Sequence, residues 1–174
     1  MSELRTNRIV PRDGLSSGTF GGIIQVVQTV KQGEQTIDGT EADVMSATIN
    51  LKHASSKVMI CWSVCVGRGD DDYGYLKLFE GSSEITGASG NTATGNQLNA
   101  LSAISNRGAG NDRHFTNVLS GTYIHTPSST SPVIKIKGKC TYGSTIHVNG
   151  PAQLDSQPYV IKCASFLQLY ELAG

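Results

Sequence analysis

The chain contains no run of about 18 apolar residues, the length that a membrane-spanning helix requires. Long stretches of helical periodicity are also missing. Hydrophobic residues make up 38% of the 174 residues and aromatic residues only 6%, whereas Gly, Ser, Thr and Asn are abundant. This length suffices for one domain with its own core, and the composition predicts many short strands joined by turns.

A surplus of charge is missing too, because 14 basic residues balance 14 acidic ones. Proteins that bind nucleic acids normally carry a basic surplus, since contacts with phosphates supply most of their affinity. We therefore expect no nucleic-acid partner. The N-terminus lacks a basic segment followed by a continuous apolar stretch, so we expect neither a signal peptide nor membrane insertion.

The four cysteines form no motif of a metal-binding or disulfide-rich protein. They are Cys61, Cys65, Cys140 and Cys163, and no Cys-x-x-Cys or His–Cys pair occurs at zinc-ligand spacing. Cys61 and Cys65 share one strand-like run, where their spacing places them about 13 Å apart, too far for a disulfide. The apolar surroundings of all four predict buried, free thiols in a chain that folds in a reducing cytoplasm.

Catalytic motifs are absent from the sequence. The four histidines lie in separate segments, at His53, His114, His125 and His147. Their spacing produces no Ser/His/Asp or Cys/His arrangement, and the glycine-rich stretches contain no phosphate-binding signature. A depolymerase is the least favoured hypothesis, because Glu80 and Glu84 flank a turn without the marks of a catalytic pair. We expect no enzymatic activity, no cofactor and no metal.

Strand-like segments bounded by Gly, Pro, Asn or Ser fill the chain from residue 23 onward. The predicted strands are 23–30, 44–51, 57–66, 74–80, 98–105, 115–125, 132–141, 144–149 and 159–172. In 44–51 the apolar face comprises Met45, Ala47, Ile49 and Leu51, opposite a face that includes Val44. The run Val58–Val66 is apolar almost throughout, which indicates an inner strand covered on both sides. These strands predict an all-β fold, an antiparallel two-sheet sandwich of the jelly-roll type.

Polar loops and one strand face supply the candidate contact residues. The loop candidates for receptor contact are Asp70, Asp71, Asp72, Tyr73, Tyr75, Arg107, Asp112 and Arg113. Clustered carboxylates beside glycines suit calcium, but the spacing is not that of an EF-hand, and a solvated loop tip is the favoured interpretation. Tyrosines on such a tip suit contacts with sugars or proteins. Lys135, Lys137 and Lys139 form a ridge on one sheet face, either solvated or in contact with anionic polymers.

The first 22 residues differ in character from the rest of the chain. They are rich in glycine, contain Pro11 and have few apolar residues, so they cannot build a core of their own. We predict an extended N-terminal arm and hinge at 1–22 and a sandwich domain at 23–174. The candidate docking residues of the arm are Arg5, Arg8, Arg12 and Asp13, which can form charge-assisted hydrogen bonds with a partner.

The segment TNRIVPRDGL at 6–15, followed by GGIIQVVQTV at 21–30, resembles the fibre-type virion structural proteins of marine tailed bacteriophages, especially those of cyanobacteria. The pattern continues in the step LKHASSK at 51–57, the hairpin GSTIHVN at 143–149 and the final strand SFLQLYE at 165–171. The resemblance implies a homotrimeric virion component that assembles in the cytoplasm of the bacterial host. Its arm would attach to other virion proteins of the tail or capsid.

Two functional hypotheses remain open at this point. In the first, the chain is a tail fibre or fibre-like component that docks through its arm and contacts a host-surface glycan or protein through the end loops. Several weak sites on one particle would then combine into strong attachment. In the second, it is a capsid decoration, head-fibre or tail structural protein without a receptor-binding role.

Overall fold

The computed structural model describes residues 22–68, 73–90, 98–105, 116–142, 145–152 and 162–174. The strands in these residues are β1 (Ile23–Lys31), β2 (Gln35–Ile37), β3 (Ala42–Thr48), β4 (Lys57–Arg68), β5 (Tyr73–Glu80), β6 (Ser83–Glu84), β7 (Ser102–Ser105), β8 (Thr116–His125), β9 (Val133–Tyr142), β10 (Ile146–Val148) and β11 (Ser165–Leu172). A 3-10 helix occupies Thr86–Ala88. Across the ranges given above, no helix has the length and apolarity to cross a membrane.

The strands form two antiparallel sheets. Sheet A has the order β1–β11–β4–β8. Strand β10 pairs with the C-terminal end of β4, and β2 pairs with the other side of β10. Sheet B has the order β3–β9–β5–β7, with β6 also paired to β5. Successive long strands pass from one sheet to the other, which is the arrangement of two Greek keys in a jelly roll. The predicted all-β sandwich of jelly-roll type is therefore confirmed.

The core lies between the two sheets and is built by strand alternation. Every second side chain of β4 points inward, and Val58, Ile60 and Val64 are fully buried. Strands β5 and β9 of the facing sheet and β11 of the same sheet contribute buried aliphatic side chains in the same alternation: Leu76, Leu78, Ile134, Ile136, Leu167 and Leu169. Each such side chain stabilises the fold by about 1.5–3 kcal/mol relative to an exposed position.

Strand β4 is the central strand of sheet A, paired with β11 and β10 along one edge and with β8 along the other. The prediction that it is covered on both faces is correct for Cys65, which is buried, but wrong for Met59, Cys61 and Ser63. These three side chains point to the outer face of the sheet and are only half-buried. The apolar run is therefore explained by one core face and one outer face of low polarity.

A β-bulge in β3 corrects a second prediction. The pairing of β3 with β9 shifts register between Asp43 and Met45, so Val44 and Met45 both point into the core, 3% and 5% exposed. Simple alternation had placed Val44 on the polar face. The short strands β2 and β6 were not predicted, because three and two residues are too few to show a period.

The carboxylate of Glu171 on β11 joins the first and last strands to the loop before β4. It is fully buried and accepts hydrogen bonds from Gln25 Nε2 at 2.6 Å, the Lys52 amide at 2.7 Å, the His53 amide at 3.2 Å and Ser56 Oγ at 2.7 Å. Burial raises the pKa of this carboxyl, but the four hydrogen bonds outweigh burial and hold the pKa below its usual value of 4.5.

We expect Glu171→Gln to lower the free energy of unfolding by about 1–3 kcal/mol, because an amide cannot accept from all four donors and leaves buried polar groups unpaired. The folded pKa is depressed, so this stabilisation is complete above pH 4.5 and is lost as the pH falls through the folded pKa. Urea denaturation at pH 7 and at successively lower pH measures both effects.

The matched control is Glu84→Gln, which changes a half-exposed carboxylate paired with Lys77 and should cost less than about 1 kcal/mol. Equal losses in the two variants, or a difference between wild type and Glu171→Gln that does not shrink on acidification, would contradict the anchoring role.

Gly121 on β8 leaves room for the indole of Trp62. A Cβ at this position would lie 2.5 Å from Trp62 Cζ2, well inside contact distance. We expect Gly121→Ala to destabilise the fold by about 1–3 kcal/mol through overpacking. Gly33→Ala is the control, since no heavy atom lies within 4 Å of its added Cβ. Urea denaturation and Trp62 fluorescence report the change, and equal stability of the two variants would refute it.

Candidate interaction surfaces

The outer face of sheet A carries three rows of side chains that cross four strands, defined here as the uncharged face. The first row is Val26, Tyr170, Met59 and Ile124; the second is Gln28, Gln168, Cys61 and Thr122; the third is Val30, Phe166, Ser63 and Ser120. No charged side chain occurs in these rows. The outer two rows are largely apolar at the β1 side, and the middle row is polar.

Exposed hydrophobic side chains concentrate on this face of the molecule. Eight large hydrophobic residues are exposed in the part of the chain that the structure describes. Five of them point outward from sheet A: Val26, Val30, Val118, Ile124 and Phe166. Single exposed hydrophobic residues are normal, but a cluster on one sheet face marks an interaction surface.

The polar groups of the middle row bind one another within the sheet. Gln168 Nε2 donates to Gln28 Oε1 at 2.8 Å, and the Tyr170 hydroxyl donates to Gln168 Oε1 at 3.0 Å. The Cys61 thiol lies 3.5 Å from the Thr122 hydroxyl. These groups keep hydrogen-bond partners when water is removed from the face, which lowers the cost of covering it.

The outer face of sheet B has the opposite chemistry. The predicted lysine ridge lies here, and two of its three lysines, Lys135 and Lys137, are paired with carboxylates. Lys135 Nζ is 2.7 Å from an Asp43 carboxylate oxygen, and Lys137 Nζ lies 3.6 Å from Glu41 and 4.4 Å from the Phe79 ring centroid. Ion pairs and ring contacts of this kind favour a solvated face over an anion-binding one.

The start of β1 and the Tyr73–Tyr142 pair lie at opposite ends of the sandwich. Ile23, where β1 begins, pairs with Leu172, which in turn pairs with Lys57 at the start of β4. The loop at 69–72 follows the other end of β4, and the chain segments 106–115 and 143–144 also connect strands at that end. Twelve residues of β4 separate the two ends by about 36 Å.

Tyr73 and Tyr75 are the two receptor-contact candidates that lie within the described residues, and both are half-buried. Tyr73 packs edge-on against Tyr142, with ring centroids 5.7 Å apart. The Tyr75 hydroxyl lies 3.4 Å from Glu41, and burial together with that carboxylate raises the pKa of Tyr75. Tyr142 is 67% exposed and was missed as a candidate, although its place at a hairpin tip marked it.

The remaining predicted site residues lie outside the described residues and stay predictions. They are Asp70, Asp71, Asp72, Arg107, Asp112 and Arg113 of the loops, and Arg5, Arg8, Arg12 and Asp13 of the arm. Among the described residues, no group of three or more His, Cys, Asp or Glu side chains is placed to hold a metal ion.

A Ser–Glu–His cluster closes the end of the sandwich at which β1 begins. Glu80 accepts from Ser128 Oγ at 2.7 Å and from the Ser128 amide, and His125 Nε2 is 2.8 Å from its other oxygen. In hydrolytic triads the histidine stands between the hydroxyl and the carboxylate, whereas here the carboxylate occupies the centre. Ser128 therefore donates to a carboxylate, and the cluster fastens the loop between β8 and β9.

None of the four cysteines forms a disulfide; Cys65 and Cys140 are buried, and Cys61 and Cys163 are half-buried. The expectation that all four are buried was therefore wrong for two. Burial, and a hydrogen bond with the neighbouring Cys163 thiol, raise the pKa of the Cys65 thiol to about 11. A thiol of this kind is a poor nucleophile, because the thiolate is the reactive form.

We expect Cys65 to resist alkylation in the native protein at pH 8, where roughly one molecule in a thousand carries the thiolate. Iodoacetamide labelling followed by peptide mass spectrometry measures this, and labelling in urea serves as the reference for full access. Modification of Cys65 at the same rate in native and unfolded protein would contradict its burial.

No protein-family model and no curated protein matches the chain. Among solved structures, the chain is similar to a chain in the structure of the infectious bursal disease virus Gx strain. The two are 10% identical with a TM-score of 0.42, and the match covers 98% of this chain and 42% of the viral chain. It is also similar to the VP2 subviral particle of infectious bursal disease virus, with 9% identity and a TM-score of 0.39 over 97% and 44% of the two chains. The chain spans less than half the length of either neighbour.

Proposed function

We propose that this chain is a virion structural protein, a fibre-like component that docks to the particle through residues 1–22. The observation that supports the proposal is that Ile23, where β1 begins, and the Tyr73–Tyr142 pair lie at opposite ends of a jelly roll, about 36 Å apart. One end can then be held by the particle while the other faces outward. Jelly rolls occur in viral coat and lectin domains, although a fold alone does not determine function.

The resemblance of residues 6–30 to fibre-type proteins of tailed bacteriophages supports the same proposal. The docking residues in this proposal are Arg5, Arg8, Arg12 and Asp13, which form charge-assisted hydrogen bonds with a neighbouring virion protein. The chain enters the sandwich at the edge strand β1, so a docked arm requires no rearrangement of the inner strands. The protein assembles in the bacterial cytoplasm, where its free cysteines stay reduced.

Receptor contact belongs to the end that carries Tyr73 and Tyr142, with the loops at 69–72 and 106–115 beside it. Tyr142 offers an exposed aromatic ring held against a second ring, a preorganised surface for a sugar or a protein side chain. A single contact of this size binds weakly, and several copies on one particle supply the avidity.

The second candidate is a capsid or tail structural protein without a receptor, and the uncharged face favours it. Surfaces of this kind are typical of packing between virion subunits rather than of recognition of a hydrated glycan. Immunogold labelling of particles separates the locations: label at the tail tip supports the fibre, and label over the head supports a decoration protein.

Deletion of residues 2–14 should leave a folded domain that no longer enters particles, because the docking contacts are lost while the core strands remain. Circular dichroism of the purified variant and mass spectrometry of purified particles measure folding and incorporation. Normal incorporation of the shortened chain would refute docking through the arm, and absence of the full-length protein from particles would refute the virion assignment.

Tyr142→Ala should weaken binding of the fluorescently labelled protein to host cells by about tenfold, the usual effect of removing an aromatic contact at the centre of an interface. Leu98→Ala is the matched control, because Leu98 is 63% exposed and does not belong to the Tyr73–Tyr142 ring pair. Equal binding by wild type and Tyr142→Ala would remove this tyrosine from the contact, and no binding of the wild type would favour the purely structural role.

A further inference from the structure

We propose that the uncharged face of sheet A is an interface between copies of this chain, with the same face of a second copy as its occupant. The inference does not depend on the proposed function, because it follows from the chemistry of the face alone. Four observations support it: the absence of charge in the rows, the order of the rows, the hydrogen bonds within the polar row and the area.

Charge is the first consideration. Symmetric association brings identical side chains together, so a like charge on the face would oppose it. The three rows contain no Asp, Glu, Lys or Arg, whereas the outer face of sheet B carries several of each sign, including Lys135, Lys137 and Asp43. The net charge of the whole chain is zero, so no long-range repulsion separates two copies.

The order of the rows matches two of the three rows to themselves. With a two-fold axis in the interface plane and parallel to the strands, the apolar first row meets the first row of the other copy and the polar middle row meets the middle row, while Val30 and Phe166 of the third row meet serines. Val26 and Ile124 bound the first row, and Val30 and Phe166 lie in the third. Stacked sheets pack about 10 Å apart, a separation that these side chains fill.

Part of the polar row is hydrogen-bonded within the sheet, because Gln168 Nε2 donates to Gln28 Oε1 and the Tyr170 hydroxyl donates to Gln168 Oε1. These bonds lower the cost of burying the two glutamine carbonyl oxygens. The apolar neighbours gain from the exclusion of water.

The area of the three rows matches the central part of a stable protein–protein interface. Three rows at a spacing of two residues, across four strands, cover roughly 400 Å² in projection. Val118 on β8 also points outward and extends this surface beyond the third row. A stable interface buries about 800 Å² per partner, with its most apolar part at the centre.

The experiment measures the mass of the full-length protein by multi-angle light scattering and analytical ultracentrifugation at micromolar to tens of micromolar concentration. We expect the wild type at two or more times the monomer mass of 18.4 kDa. Ile124→Lys and Val30→Lys, made separately on opposite sides of the face, should each shift the protein toward monomer. The dissociation constant of each variant should be at least tenfold larger than that of the wild type.

Leu98→Lys is the matched control, because it places the same charge at an equally exposed hydrophobic residue that lies outside the three rows. Thermal denaturation of each variant shows whether it is folded. A monomeric wild type would overturn the proposal, and so would an oligomer whose mass is unchanged in Ile124→Lys and Val30→Lys.

Cys61 provides a second readout that does not depend on substitution. It lies in the middle row and is half-buried in a single copy, so self-association should protect it from iodoacetamide. We expect its labelling to become slower, at least fivefold, as the protein concentration rises through the dissociation constant. A labelling rate independent of concentration in an associating protein would place the interface elsewhere.

The particle-labelling and deletion experiments under the proposed function do not use this mass measurement, so the two proposals can fail separately.

Discussion

The alternation of side chains along β4 is the constraint on which the rest of this structure depends. One set, from Val58 to Val66, fills the space between the sheets and is almost entirely buried. Because successive side chains of a strand point to opposite faces, the other set is committed to the outside of sheet A. The core and the uncharged face are thus two consequences of one twelve-residue segment, and neither can shift register without disrupting the other.

Carboxylates secure the end of the sandwich at which β1 begins. Glu171 is fully buried and accepts hydrogen bonds from the first strand and from the loop before β4, while Glu80 fastens the loop after β8 through Ser128 and His125. A buried carboxylate is costly without donors, so these loops must keep the conformations that supply them. This end of the sandwich is therefore rigidly connected.

The two outer faces divide the remaining roles by their chemistry. Sheet B presents lysines and carboxylates in mutual contact, a surface that stays hydrated and resists association. Sheet A presents rows without charge, whose polar members bind each other. The two sheets therefore present surfaces of different chemistry on opposite sides of one core.

The sequence by itself determined the all-β class, most of the strands and the identity of the core, because period-two alternation and turn residues are local signals. Only the tertiary structure decided which strands became neighbours, and so that Val26, Tyr170, Met59 and Ile124 form one row. It also decided that Glu171, an ordinary acidic residue near the end of the chain, is buried among donors more than a hundred residues away. Such pairings join residues far apart in the sequence and are set by the sheet topology, so no local pattern of residues encodes them.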